Sequence, residues 1–279
     1  MTFGPIVSAS WLASPPAPFR LMDARAGADV YAAGHLRGAL HADVNLQLST
    51  ASEPGFDPAR GGRHPLPDLA AWSRRLGAWG IGPETFVVAY DAAGGANAAS
   101  RLWWMLRAVG HERVAVLDGG LPAAQAAGLE LTGEPPAAVP ALPPYPCDGW
   151  RRPTAGAERV RRCLSDPGWK VLDVRARTRW LGESDPFEPV AGRIPGTLNL
   201  PLTENLGPDG RFRAPEELRR AYLRLLDGTP PERLVVHCGS GVTACHTLLA
   251  LELAGLDGAS LYVGSYSEWS RSGRPVERG

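Results

Sequence analysis

Lysine is almost absent from this 279-residue chain: of 29 basic residues, only Lys170 is lysine. An excess of charge is absent too. The 29 basic residues face 29 acidic ones, and the formal net charge is zero. That balance excludes the basic footprint of a nucleic-acid binder and the polybasic patch of a membrane anchor. Cysteine is scarce, at four residues: Cys147, Cys163, Cys238 and Cys245. None forms a C-x-x-C pair, which argues against a ribbon-type zinc site and a thioredoxin-like motif. Four thiols are also too few for a disulfide scaffold. No apolar run reaches the ~18 residues of a membrane span. The start of the chain has no positive charge before Arg20 and breaks its apolar residues with Gly and Pro, unlike a signal peptide. A reducing cytoplasm is the expected compartment, and there a functional thiol stays free.

What is present is ordinary for a chain with a real core: 44% apolar and 21% charged residues. The length suits two domains of about 130–140 residues each. A duplication supports that division. Leu21-Met22-Asp23-Ala24-Arg25 recurs as Val171-Leu172-Asp173-Val174-Arg175. Gly34-His35-Leu36-Arg37-Gly38 recurs as Gly192-Arg193-Ile194-Pro195-Gly196. Val87 to Asp91 recurs as Leu234 to Cys238, and Gly110 to Gly120 as Gly255 to Ser265. The order is the same in both halves, at offsets of about 150 residues. Between the copies, Leu131 to Pro153 holds seven prolines and reads as a stiff, extended linker. The expected organisation is a first domain over 1–130, a linker over 131–153 and a second domain over 154–279.

Phe86–Tyr90 and Leu234–His237 are short apolar runs bounded by turn residues, as in buried parallel strands. Pro67–Leu76, Ala98–Val109, Pro215–Leu226 and Val242–Ala254 have helical spacing. Pro215 suits a first helical turn, followed by Glu216 and Glu217 at the positive end. Strand–helix alternation predicts an α/β fold: in each domain, a mainly parallel sheet flanked by helices on both faces, with ligands at the carboxyl ends of the strands.

The most informative stretch is Leu234 to Ala244. A buried strand runs into Cys238, then the loop Gly239-Ser240-Gly241-Val242-Thr243, then a helix. The glycines let successive backbone N–H groups turn inward as an anion-binding nest, and the helix start adds its dipole. This setting favours the nucleophilic thiolate of Cys238 and would stabilise a persulfide anion on it. A lone cysteine at a strand end is more often structural; the loop and helix around this one reverse that weighting. The first copy has Asp91 at the equivalent position, which cannot do thiol chemistry. One copy is therefore expected to act and the other to support it.

These motifs resemble the tandem-domain rhodanese sulfurtransferases, in the form that uses 3-mercaptopyruvate. The likeness covers nearly the whole chain. It includes Ile6 to Leu12, both Asp-x-Arg segments, Arg63-His64-Pro65-Leu66-Pro67, Arg101 to Trp104, Val116 to Gly120 and Gly264 to Ser270. The loop Cys-Gly-Ser-Gly-Val-Thr is its most specific element, because thiosulfate-preferring relatives carry basic side chains there. The resemblance implies two tandem rhodanese-like domains. It implies a small anionic sulfur donor, a persulfide on Cys238 and an acceptor that is a thiol, such as thioredoxin or a small thiol, or cyanide. No metal or organic cofactor is implied.

It further implies that Ser240 bonds the substrate or relays a proton, with His64 and Asp43, both expected from domain one, as its partners. Arg179 matches an arginine that clamps the donor's carboxylate, beside the loop residues Gly239, Gly241, Val242 and Thr243. A departure follows. Mercaptopyruvate users place a second arginine soon after the first, whereas here Glu183 to Pro189 is acidic, with Glu188 near that position. Arg193 is the expected substitute. Read without the resemblance, His64 is a surface-loop histidine and Asp43 a turn or capping residue. Cys245 is expected to pack in the core, and Trp103-Trp104 to pack domain one. Three other readings stay open. One is thiosulfate sulfurtransferase. Another is a non-catalytic rhodanese-like binding module. The weakest is a cysteine phosphatase, which needs an arginine where Ala244 stands.

Overall fold

The computed structural model describes residues 4–279, which divide into two compact units. Of these, residues 4–50, 66–151 and 208–211 form one unit, and 51–65, 152–207 and 212–279 the other. The short segments 51–65 and 208–211 are thus assigned away from their sequence neighbours. His64, expected in domain one, groups with the second unit for this reason.

The first unit carries β1 (Ile6–Val7), α1 (Ala9–Ala13), β2 (Arg20–Asp23), α2 (Ala28–Ala33), β3 (His35–Leu36) and β4 (Leu40–His41). It continues with α3 (Leu69–Ala78), β5 (Val87–Tyr90), α4 (Ala98–Ala108), β6 (Val114–Leu117), α5 (Gly120–Ala126) and β7 (Leu131–Thr132). Its five-stranded sheet is parallel, in the order β1-β6-β5-β2-β4. The start of the expected linker is not free chain: β7 pairs antiparallel with β3.

The second unit carries β8 (Thr154–Ala155), α6 (Ala157–Leu164), β9 (Lys170–Asp173), α7 (Arg177–Leu181) and β10 (Leu198–Asn199). It continues with α8 (Pro215–Leu226), β11 (Leu234–His237), α9 (Ala244–Leu253), β12 (Ser260–Tyr262) and α10 (Ser265–Arg271). Its sheet is also parallel, in the order β8-β12-β11-β9-β10. The two orders match strand for strand, so the duplication read from sequence is a duplication of topology. Short parallel strands of this kind are buried on both sides and apolar along their length. Val87 to Tyr90 and Leu234 to His237 are accordingly buried at every position.

The repeat extends to side-chain geometry. Asp23 receives a two-point guanidinium bond from Arg25, whose Nη2 also donates to the Gly34 carbonyl. Asp173 and Arg175 repeat this, with the Gly192 carbonyl as the second acceptor. Each Asp-x-Arg therefore ties a strand end to a glycine further along the chain. A buried carboxylate is tolerable because the planar fork satisfies it. Trp103 and Trp104 are buried on α4, as expected of core residues.

Candidate active site

Strand β11 ends on His237, and Cys238 follows at the carboxyl edge of the sheet, 1% exposed. The chain must then reverse within a few residues to enter α9. Gly241 does this with φ +74, a conformation that L side chains rarely adopt. A Cβ there would lie 2.2 Å from the Val263 carbonyl oxygen, so no other residue fits. The turn aims the Gly241 N–H at Cys238 Sγ, 3.1 Å away. An N–H donated to sulfur favours its charged form.

The loop is pinned from the side by the start of α10. Tyr266 N–H donates to the Cys238 carbonyl and Ser267 N–H to the Gly239 carbonyl, at 3.0 and 2.9 Å. Ser265 sits at φ +54, unusual for a residue with a side chain. Its Oγ accepts from the Cys238 N–H at 3.1 Å, donates to the Tyr262 carbonyl at 2.8 Å and lies 4.0 Å from Sγ. Beneath the loop His237 is fully buried, with Nδ1 3.2 Å from the Cys238 carbonyl. Burial pushes the imidazole below its ordinary value, against the pull of Asp173. His237 thus braces the loop as a neutral ring.

Of the loop residues singled out in sequence, Ser240 and Val242 are buried, and Thr243 immediately precedes α9 without a side-chain capping bond. Cys245 is buried in the first turn of that helix, its thiol 3.4 Å from the Gly241 carbonyl, as expected of a packed residue.

The first unit shows what such a loop does with an anion. Asp91 follows β5 as Cys238 follows β11. Its Oδ1 accepts from the N–H groups of Ala93 and Gly95 at 2.8 and 2.9 Å. Its Oδ2 accepts from Asn97 and Ala99 at 3.0 and 3.1 Å. The cradle there is filled by the chain's own carboxylate. Burial raises the Asp91 carboxyl above the usual range, and the four donors pull it back.

Arginines lie over the Cys238 loop. A Cβ built on Gly239 would stand 3.0 Å from Arg179 Nη2 and 3.4 Å from Arg63 Nη2. Arg179 comes from α7 and is held by Asp185, with Nη2 3.0 Å from both carboxylate oxygens. Arg63 comes from the segment 51–65, and its Nε donates to Glu188 at 3.0 Å. Glu188 also pairs with Arg271 of α10. Both loop-facing guanidiniums pack on the Phe187 ring, at 5.2 Å for Arg63 and 5.1 Å for Arg179. The acidic stretch that interrupts the expected arginine pattern is therefore an arginine holder. Burial lowers Arg63 from its ordinary value, while the charges of Cys238 and Asp185 act the other way.

Two expected residues are engaged elsewhere. Arg193 does not supply the second cation. Its guanidinium pairs with Glu277, donates to the Gly279 carbonyl and stacks 4.0 Å over Trp180. It fastens the segment 277–279 because that carboxylate and carbonyl are the acceptors within its reach. Asp43, in the first unit, accepts the N–H groups of Gly27 and Asn45 at 2.6 and 2.7 Å, the geometry of a turn-holding carboxylate. His64 is half-buried next to Arg63. Arg63, Asp185, Arg271 and Ser265 did not figure among the sequence candidates. Only the positive charge of the arginines hinted at a role.

Comparison with known proteins agrees with this geometry. The family model described as "Rhodanese-like domain" matches twice, over residues 8–127 and 156–272. The chain is 45% identical over 267 residues to a probable 3-mercaptopyruvate sulfurtransferase of Pseudomonas aeruginosa, covering 94% of this chain and 90% of that one. It is 36% identical over 262 residues to a putative thiosulfate sulfurtransferase of Mycobacterium tuberculosis, covering 92% and 88%. Among solved structures, 3-mercaptopyruvate sulfurtransferase from Leishmania major superposes with a TM-score of 0.83 at 31% identity, covering 98% of this chain and 75% of that one.

Proposed function

We propose that this chain, which belongs to the rhodanese family, is a sulfurtransferase that takes sulfur from 3-mercaptopyruvate through a persulfide on Cys238. The observation that carries the reading is the Gly241 N–H aimed at Cys238 Sγ beneath two guanidiniums.

The Cys238 thiolate attacks the sulfur of the donor's thiol. A sulfur–sulfur bond forms, and the carbon–sulfur bond breaks with its electron pair going to carbon. The leaving group is the enolate of pyruvate. The donor's thiol proton ends on the enolate carbon, leaving pyruvate and a persulfide anion. Splitting the transfer into two displacements lowers each barrier. Ser240, in the loop, carries the proton, with His64 as its partner from the neighbouring segment. Arg179 binds the donor's carboxylate, for which a planar fork is suited. In the second step an acceptor thiolate, of a thioredoxin-like protein or a small thiol, attacks the outer sulfur and frees the Cys238 thiolate. Cyanide serves in the same way. A reducing cytoplasm suits this cycle, because it keeps the Cys238 thiol available between turnovers.

The test is kcat/KM with 3-mercaptopyruvate against thiosulfate. The reading expects mercaptopyruvate to be the better donor. A preference for thiosulfate would replace it with the thiosulfate sulfurtransferase reading.

A further inference from the structure

Phe187 is the most exposed large hydrophobic side chain among the described residues, at 54%. A single exposed hydrophobe needs no explanation by itself. This one, however, is held in place and in use. Its N–H donates to Asp185 Oδ1 at 3.1 Å, and its carbonyl accepts from Arg271 Nη2 at 3.2 Å. Its ring centre lies 5.1 Å from the guanidinium carbon of Arg179 and 5.2 Å from that of Arg63. Both backbone polar groups are thus pinned, and the ring they present lies against charge rather than against the core. It belongs to Glu183 to Pro189, the stretch where the expected second arginine is missing.

The Arg179 fork is otherwise held at one corner. Its Nη2 lies 3.0 Å from both oxygens of Asp185. Its Nε is buried and has no hydrogen-bond partner among the described residues. A guanidinium bonded through one nitrogen can swing about that contact, whereas an aromatic face laid against it fixes its plane. Arg179, Asp185 and Phe187 close a triangle. The fork bonds the carboxylate, the carboxylate accepts the Phe187 N–H, and the Phe187 ring returns to the fork. The edge facing the loop is then Nη2 and Nη1, 3.0 and 3.6 Å from a Cβ built on Gly239. The ring serves Arg63 as well, so its negative face offsets part of the repulsion between two like charges.

We propose that Phe187 is a positioning residue for sulfur transfer: its ring sets the plane of the Arg179 fork and so fixes how the donor's carboxylate is received. This rests on the sulfur-transfer reading above, in which Arg179 binds that carboxylate. It gives the exposed ring a use that burial cannot supply.

The experiment is kinetics of the full chain with 3-mercaptopyruvate and dithiothreitol, for wild type, Phe187→Leu and Phe187→Tyr. Leucine keeps the apolar bulk but has no aromatic face. Its loss predicts a KM for mercaptopyruvate raised ~5-fold in Phe187→Leu, with kcat within about twofold. Phe187→Tyr keeps the face and should stay within about twofold of wild type. Removal of sulfur by dithiothreitol from the preformed persulfide should change by less than about twofold in both. In an Arg179→Ala background, Phe187→Leu should alter KM by less than about twofold, because the fork that the ring orients is gone. An unchanged KM in Phe187→Leu, an equal rise with leucine and tyrosine, an equal rise in the Arg179→Ala background, or a comparable slowing of sulfur removal overturns the proposal. So does an effect confined to a protein acceptor such as reduced thioredoxin, which would make the ring an acceptor contact instead. If Phe187→Leu does not fold, Phe187→Met removes the same face, with the same outcomes deciding. A wild type that forms no persulfide with mercaptopyruvate defeats the underlying reading, and shows it before any variant is made.

Discussion

Gly241 donates its backbone N–H to the sulfur of Cys238 at 3.1 Å, and it does so from a φ of +74. The nucleophile and the glycine are therefore one device. Replacing Gly241 with alanine forces a Cβ toward the Val263 carbonyl oxygen, 2.2 Å away. Gly241→Ala should slow persulfide formation ~100-fold and cost about 2 kcal/mol of stability. Single-turnover kinetics and urea unfolding check the two parts.

In the proposed mechanism Arg179 clamps the donor. Arg179→Ala should raise the KM for mercaptopyruvate ~10-fold with a smaller effect on kcat. Asp185 keeps Arg175 as a partner at 3.0 Å, so the fold should survive. An unchanged KM would remove the role.

Asp91 holds four backbone N–H groups in the first unit. Asp91→Ala leaves them without this acceptor and should lower stability by about 2–4 kcal/mol. Asp91→Asn keeps one acceptor oxygen and should lose less. Chemical denaturation at neutral pH measures both.

Acid should destabilise the protein through two buried histidines. Burial lowers His111 to about 4 and His246 to about 3. Their folded values lie below the unfolded value near 6.5, so the unfolded state binds more protons in between. Stability from these groups is whole above about pH 6.5 and falls as pH drops toward the folded values. By pH 5 the loss should be roughly 2 kcal/mol per histidine. Denaturation midpoints at pH 7 and pH 5 test this, and His246→Gln should flatten the dependence.

Much of this was legible in the sequence, for physical reasons. Buried parallel strands are apolar along their length, so Leu234–His237 appears with its expected bounds. Pro215–Leu226 appears intact because its proline and glutamates mark a helix start. The helices at Leu69–Ala78 and Ala244–Leu253 begin two residues later than their spacing suggests. The second follows from the Cys238 loop, which needs Val242 and Thr243 for its turn. The nucleophile stood out because strand, cysteine, glycines and helix are contiguous. The arginine cluster did not, since Arg63 and Glu188 meet across 125 positions of chain. Charge signs along a sequence do not reveal which carboxylate neutralises which guanidinium. Glu188 looked like an intruder for that reason, and Arg193 like a substitute although Glu277 and Gly279 engage it.

The central claim is that Cys238 carries the transferred sulfur. Intact-mass measurement after adding 3-mercaptopyruvate, without acceptor, tests it most directly. Wild type should gain one sulfur atom, located to the peptide containing Cys238, and Cys238→Ser should gain none. A gain of sulfur by the serine variant, or at Cys147, Cys163 or Cys245 in the wild type, would contradict that claim.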